Sequence, residues 1–349
     1  MMKPSRIPTI VGVLLVVVVA TGAALGSEGP SAPKPASVLV FPHFDSTDAT
    51  STVITVTNTN TDRTLCPGGE ARAGDIVLHY IYVQSHGSQF DRFEVMTPGD
   101  TLSVISERHN PEIDEGFLVV LAEELDDHRP AVLIDFDALI GSAILIDADA
   151  GAVWQYHPVG FRGRLEPEDS CQRLVVDLDG DGSPDFDGFE YDRFPRELVL
   201  DSFFEEVGPF RNRLCLMSTA PFFLRAEVEI QLFNNMGDLV LGTFEMHKHH
   251  TDSLATLLPL ASDLAGDTTE FGKPPVETGW AVIRGLRLVD AAGNYYPDAW
   301  GDPAIPPLLG VCAQWLTNRS LSFGGSLYVR GELDGFEAPG GDYDPQVNP

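Results

Sequence analysis

Short segments in which apolar and polar residues alternate, many of them β-branched, recur along most of this chain. Turn-forming residues such as the Thr-Pro-Gly-Asp of 97–100 separate them, and no long stretch has the 3.6-residue period of an amphipathic helix. The pattern predicts strands at 37–41, 51–60, 75–83, 101–106, 116–124, 131–136, 142–148, 226–235, 238–246, 278–286 and 307–316. Short strands in this rhythm are typical of a β-sandwich, so the predicted fold class is all-β.

Part of the strand order occurs twice. Five segments resemble five later ones in the same order: 51–60 and 226–235, 75–83 and 238–246, 99–105 and 251–257, 115–123 and 278–286, and 138–146 and 307–316. Each match is weak alone, but together they predict an internal duplication. We expect two tandem immunoglobulin-like β-sandwich domains, at 37–164 and 196–333, joined by an acidic linker at 165–195. The length of 349 residues suits two domains, at about 100–200 residues each.

The amino-terminal segment predicts export. Lys3 and Arg6 precede an apolar run at 10–26 that ends in small residues, as a secretory signal peptide does;. We expect residues 1–26 to be cleaved before Ser27, and the protein to be secreted, extracellular or periplasmic with no membrane span after cleavage. The alternative is an uncleaved anchor, because the run approaches the ~18 apolar residues of a membrane helix.

Both ends of the mature chain lack a strand pattern. Residues 27–36 are rich in proline and predict a flexible lead-in, and residues 334–349 combine glycine, proline and acids in a pattern typical of a disordered tail;.

The formal net charge of −30 excludes some partners. Nucleic acids and anionic membrane surfaces attract basic proteins, so neither is an expected partner. An exported acidic protein is expected to meet a protein or a glycan at the cell surface, which the sequence does not identify.

Four cysteines, Cys66, Cys171, Cys215 and Cys312, predict two disulfides in an exported protein;. Three pairings are possible. The working hypothesis joins Cys66 to Cys171 and Cys215 to Cys312, since this keeps one bridge in each half and ties the linker to the first domain.

The strongest motif is the acidic stretch 177–188, which reads Asp-Leu-Asp-Gly-Asp-Gly-Ser-Pro-Asp-Phe-Asp-Gly. Like charges at this spacing repel unless a cation lies between them, and the D-x-D-x-D-G spacing matches the first half of a calcium loop. The predicted ligands of a structural Ca²⁺ are Asp177, Asp179, Asp181, Ser183, Asp185 and Asp187;. The alternative is an acidic turn without a metal.

This stretch resembles the calcium loops of dockerins and thrombospondin type 3 repeats, and the loop of an EF-hand. The resemblance covers about a dozen residues. It departs from the EF-hand at position twelve, where Gly188 replaces the bidentate glutamate, so the last ligand is expected from Asp187, Glu190 or a distant residue;. The flanks are not helical, which favours a structural site over a regulatory switch.

A second cluster, 245–250, contains three histidines. His247 and His249 would share one face of a strand, where two imidazoles bind Zn²⁺ or Cu²⁺ if a third ligand is supplied. A solvated strand end is the favoured interpretation, because no H-x-x-x-H or H-E-x-x-H motif is present.

The sequence contains no G-x-S-x-G, P-loop or dinucleotide-binding motif;. Carboxylates are numerous enough to supply a glycosidase pair, for example Glu123 and Asp147. A sugar-stacking platform has seven candidate aromatic residues: Trp154, Tyr156, Trp280, Tyr295, Tyr296, Trp300 and Trp315;.

We expect a non-catalytic exported protein for surface adhesion, assembly or ligand binding. The alternatives are a secreted glycan-active hydrolase and a carbohydrate-binding module.

Overall fold

The computed structural model describes residues 34–47, 49–66, 72–124, 132–165, 171, 174–180, 182–204, 210–234, 239–258, 278–298, 301, 303–316, 321–326 and 328–329. Over these ranges the chain is all-β, as predicted, with two single-turn helices. The expected signal peptide, lead-in and tail lie outside the described residues.

The strands divide into two sets. The first set is β1 (Val38–Asp45), β2 (Thr50–Asn58), β3 (Ile76–Gln84), β4 (Gln89–Met96), β5 (Thr101–Ile105), β6 (Glu115–Glu123), β7 (Leu139–Asp147), β8 (Ala152–Tyr156) and β9 (Val159–Phe161), with α1 (Ser106–His109) after β5. The second set is β10 (Glu197–Phe204), β11 (Phe210–Ser218), β12 (Arg225–Asn234), β13 (Leu239–Met246), β14 (His249–Asp252), β15 (Thr278–Val289), β16 (Leu308–Leu316), β17 (Leu321–Ser326) and β18 (Tyr328–Val329), with α2 (Leu254–Leu257) after β14.

These strands form four antiparallel sheets. Sheet 1 has the order β5-β2-β7-β8 and sheet 2 the order β4-β3-β6-β1-β9. Sheet 3 has the order β14-β11-β16-β17 and sheet 4 the order β13-β12-β15-β10-β18. We call β1–β9 the N-terminal half and β10–β18 the C-terminal half, since each strand ladder within the described ranges stays inside one set.

The pairing scheme of the N-terminal half recurs in the C-terminal half. β1 pairs with β6 and β9 as β10 pairs with β15 and β18, and β2 pairs with β5 and β7 as β11 pairs with β14 and β16. A register shift interrupts β1 between Phe41 and Phe44, and the same irregularity interrupts β10 between Leu200 and Phe203.

The recurrence also corrects two of the five sequence matches. Segment 51–60 lies on β2 but 226–235 lies on β12, which holds the place of β3. Segment 75–83 lies on β3 but 238–246 lies on β13, which holds the place of β4. The matches were offset by one strand because alternating strands share one pattern whatever their place in the sheet.

Alternation along each strand divides the core from the surface. In β12, Ala226, Val228, Ile230 and Leu232 are buried while the residues between them are partly exposed. The buried residues form two apolar clusters, and each takes residues from both halves. The described residues accordingly pack as one compact unit.

The acidic linker packs against the N-terminal half. Its Val176 and Tyr191 are fully buried, in the same cluster as Val38 and Phe117 of sheet 2. Single bridges join Ile134 to Val175 and Gly163 to Tyr191. Burial of the Val176 and Tyr191 side chains holds the linker on sheet 2 through the hydrophobic effect;.

The predicted strand at 131–136 is wrong. Leu133 and Ile134 make only isolated bridges, to Glu123 and Val175. Leu133 instead joins the buried cluster that contains Val176 and Tyr191 of the linker, and Ile134 and Phe136 join the other cluster. This burial accounts for the hydrophobicity of the run without a strand.

The first predicted disulfide is confirmed and the second is wrong. Cys66 and Cys171 are bonded, with 5.4 Å between their Cα atoms. Cys215 and Cys312 are free and buried. They lie on adjacent strands, but Cys215 pairs with Val311 and Cys312 with Leu214. Because successive side chains alternate between faces of a sheet, the two thiols point to opposite sides of sheet 3.

Neither single-turn helix, nor any other helix in the described ranges, has the length and apolar character that crossing a bilayer requires.

Candidate metal centre

Three carboxylates of the acidic linker converge. The ligand oxygens of Asp177, Asp179 and Glu190 all lie within 4.8 Å of one another. Two oxygens bound to one Ca²⁺ at 2.3–2.6 Å are at most about 5 Å apart, so the three fit around one ion of this type.

Glycines let the chain curl around the Asp177 carboxylate. Gly180 and Gly182 both have φ of +78°, a left-handed conformation that favours glycine;. Their N–H groups donate to Asp177, at 2.7 Å from Gly180 and 3.0 Å from Gly182. The alternating glycines therefore allow alternate carboxylates to face the same point.

Glu190 closes the other side of the cluster. Its side chain is buried, and its two oxygens accept the N–H groups of Leu178 and Asp185. One carboxylate thus ties together both ends of the acidic stretch. Glu190 was one of three sequence candidates for the last ligand, and the structure places it beside Asp177 and Asp179.

The remaining predicted ligands are arranged differently. Asp187 accepts the N–H of Phe189 at 2.7 Å, which caps the local turn, and it lies outside the three-carboxylate group. Asp185 is also outside that group. Ser183 and Asp185 line a neighbouring cleft. Asp181 lies outside the described residues.

That cleft has a volume of about 840 Å³ and lies between the acidic linker, sheet 2 and loops of the C-terminal half. Phe117 and Val119 of β6 provide apolar walls, and Asp187 lines the cleft with Arg193 and Lys248. Burial lowers the pKa of Lys248. The lining mixes apolar residues with acidic and basic ones, and the volume falls in the range of small-ligand sites;.

Asp135 fastens the start of the linker to the N-terminal half, and the neighbouring Asp137 makes its contacts outside the linker. Asp135 accepts the N–H of Leu165 at 2.9 Å, and Asp137 accepts the Ser37 hydroxyl at 2.8 Å and the Arg162 Nε at 2.9 Å. Burial, and then the charge of Asp137, raises the pKa of Asp135 to about 6.

This raised pKa predicts a pH effect on stability. The folded state holds the proton of Asp135 more tightly than the unfolded chain, so ionisation of this group lowers stability as the pH rises from about 4 to about 6. Asp135→Asn removes the ionisation. We compare the urea midpoint of the variant with that of the unaltered protein at each pH. We expect the variant's midpoint minus that of the unaltered protein to be larger at pH 7 than at pH 4.5. An unchanged difference between the two pH values would contradict the assignment.

The histidine cluster is divided between surface and interior. His247 is exposed and lies outside the strands, with its ring 5.9 Å from that of His86. His249 begins β14 and is buried, 3.3 Å from His43 of the N-terminal half. The interpretation as a solvated strand end is therefore wrong for His249, because sheet 3 carries it into the contact between the halves.

Glu123 and Asp147, the example of two carboxylates for a glycosidase pair, make separate hydrogen bonds. Glu123 is buried and forms a 2.7 Å hydrogen bond with His79. Asp147 accepts the N–H of Ala150 at the turn after β7.

The candidate aromatic platform is dispersed. Trp154 and Tyr156 are buried and Trp315 is partly covered by Arg213. Trp280 is stacked on Phe233 with ring centroids 4.3 Å apart, on the outer face of sheet 4. Tyr295 and Tyr296 are exposed, and Trp300 lies outside the described residues.

The chain matches no protein-family model, and it matches no curated protein. Its resemblance to calcium loops therefore stays a prediction from a dozen residues.

Proposed function

We propose that this is an exported, non-catalytic binding protein with two tandem immunoglobulin-like sandwich domains, and that Ca²⁺ holds its acidic linker as one wall of a ligand cleft. The recurrence of one pairing scheme in β1–β9 and β10–β18 supports the tandem duplication. The disulfide between Cys66 and Cys171 fits an oxidising extracellular or periplasmic compartment;.

The convergence of Asp177, Asp179 and Glu190 is the observation that carries the proposal. Hard carboxylate oxygens suit Ca²⁺ better than transition metals, and a bound cation relieves the repulsion between three like charges. The same linker continues into the cleft through Asp185 and Asp187. Calcium would thus act structurally, by fixing the wall against which a ligand binds.

The test is a calorimetric titration of the purified protein with Ca²⁺, paired with thermal melts in Ca²⁺ and in chelator. We expect one equivalent to bind with a dissociation constant of about 10⁻⁴–10⁻³ M, the range of extracellular modules, and to raise the melting temperature. Asp179→Asn should weaken binding at least tenfold, since it removes one charged ligand from an exposed position.

Asp149→Asn is the matched control, because Asp149 is an exposed aspartate in a turn outside the cluster. It should leave binding unchanged. Absence of heat and of a melting shift in the unaltered protein would reject the calcium site. Equal weakening of binding by Asp179→Asn and Asp149→Asn would show that Ca²⁺ is attracted non-specifically by the acidic surface.

A carbohydrate-binding module is the second candidate. The partly exposed Trp280, stacked on Phe233, offers a flat aromatic surface on sheet 4, and Leu239 and Leu241 are exposed beside it. Aromatic faces of this kind stack on sugar rings. Retention on a polysaccharide that Trp280→Ala abolishes would favour this role over ligand binding in the cleft.

A further inference from the structure

A second group of ligand-type side chains lies at the contact between the two halves and contains no residue of the acidic linker. It consists of His43, Glu115 and His249, whose ligand atoms all lie within 4.8 Å of one another. Two of these residues belong to the N-terminal half and one to the C-terminal half.

Three separate strand features bring them together. His43 follows Pro42 in the register shift of β1, and such a bulge redirects a side chain;. Glu115 is the first residue of β6, where it pairs with Asp45 of β1. His249 is the first residue of β14 and pairs with Met217.

The distance between the imidazoles fits a shared ion. His43 Nδ1 and His249 Nε2 are 3.3 Å apart. Two nitrogens bound at 2.0–2.1 Å to a tetrahedral Zn²⁺ are also about 3.3 Å apart. Neighbouring aromatic residues hold the His43 side in place. Trp154 stacks on the ring, with centroids 5.9 Å apart, and the Tyr156 hydroxyl donates to the His43 carbonyl.

Both imidazoles are in the form that binds metals. Burial, with a smaller effect of Arg213, lowers the pKa of His43 to about 3. Burial, and then His43, holds the pKa of His249 well below its usual value. Neutral imidazole is the metal-binding form of histidine. Burial raises the pKa of Glu115, so an adjacent cation would offset the cost of its charge;.

The His43 ring presents Nδ1 to His249, and its Nε2 lies on the other side of the ring. A hydrogen bond between the two histidines uses one nitrogen on each ring, and His43 Nε2 is buried without a hydrogen-bond partner among the described residues. Asp45 and Arg213, the charged neighbours, lie 3.8 Å apart as an ion pair and add little net charge to the site.

We propose that His43, Glu115 and His249 bind a divalent first-row transition ion of the Zn²⁺ type, which clamps the N-terminal half to the C-terminal half. Two imidazole nitrogens and one carboxylate suit zinc, whereas the all-oxygen linker cluster suits calcium. Three protein ligands leave a fourth position for water.

The experiment is a titration of the full protein with Zn²⁺ in excess Ca²⁺, followed by calorimetry and by thermal melts. We expect one equivalent to bind and to raise the melting temperature. Glu115→Gln and His249→Gln should each weaken binding at least tenfold. His247→Gln is the matched control, since His247 is exposed two residues from His249 and faces His86 instead.

Loss of binding in His247→Gln with retention in Glu115→Gln and His249→Gln would assign the ion to the surface pair and overturn the proposal. Far-ultraviolet circular dichroism establishes which variants fold, and Glu115→Gln keeps the shape of the side chain if His249→Gln does not fold. A measurement on the unaltered protein is independent of folding variants: bound Co²⁺ should give the visible absorption of a four-coordinate site that Zn²⁺ displaces. Absence of that absorption would also overturn the proposal.

Discussion

Replacing Cys66 and Cys171 together by serine should lower the free energy of unfolding by about 2–5 kcal/mol, the usual cost of removing a native disulfide. The bond joins residues 105 positions apart, so it restricts a long loop in the unfolded chain. It also holds the start of the acidic linker against the N-terminal half. Urea unfolding followed by tryptophan fluorescence measures the change.

A reducing agent supplies the control for this effect. It should lower the urea midpoint of the unaltered protein to that of the double variant, and it should leave the variant unchanged, because Cys215 and Cys312 are already free. Equal midpoints for the oxidised protein and the variant would show that the bond contributes nothing to stability.

Phe161→Ala should have an effect of similar size, about 3–5 kcal/mol of lost unfolding free energy, since removal of a buried phenylalanine leaves a cavity. Phe161 of β9 is fully buried, and its ring lies 4.6 Å from that of Phe186 and 4.8 Å from that of Phe194. These contacts hold the acidic linker on sheet 2. We therefore expect calcium affinity to fall together with stability.

Phe189→Ala is the matched comparison, because Phe189 belongs to the same linker but is half exposed. It should change the free energy of unfolding by no more than about 0.5 kcal/mol, as is usual for surface positions. Urea unfolding and calcium calorimetry on the two variants separate the contributions. If both variants lost stability equally, the aromatic cluster would not be what anchors the linker.

The strand pattern could be predicted because it depends on local alternation. Where one face of a strand packs on a core, as in β12, polar and apolar residues must alternate, and the sequence records this directly;. The run at 131–136 is also rich in apolar residues, yet its buried side chains pack into the two clusters without forming a strand. Composition alone does not distinguish these two kinds of burial.

The cysteines show which disulfides can be predicted from the sequence and which also require the register of the paired strands. The pairing of Cys66 with Cys171 followed from dividing the bonds between halves, and the structure contains it. The same reasoning failed for Cys215 and Cys312. Cys215 of β11 lies opposite Val311 of β16, which is one residue before Cys312, so the two thiols lie on opposite faces of the sheet;. No feature of the sequence specifies that register.

The two candidate metal groups also differ in how far the sequence predicts them. Asp177 and Asp179 lie in one motif whose spacing predicts convergence, and Glu190 follows closely enough to be named as an alternative. His43, Glu115 and His249 are far apart in the sequence and share no motif. A bulge and two strand ends bring them together in the fold. Ligands from distant strands carry no spacing signal.

The burial of Cys215 and Cys312 limits which disulfides the folded chain can form. A chain that reaches an oxidising compartment with four thiols can form wrong bonds only while those thiols are accessible to exchange. Formation of sheet 3 covers two of them, at 0% and 4% exposure, and leaves a single accessible pair. Folding before oxidation thus gives the native bond directly, whereas oxidation before folding would create a need for a disulfide isomerase.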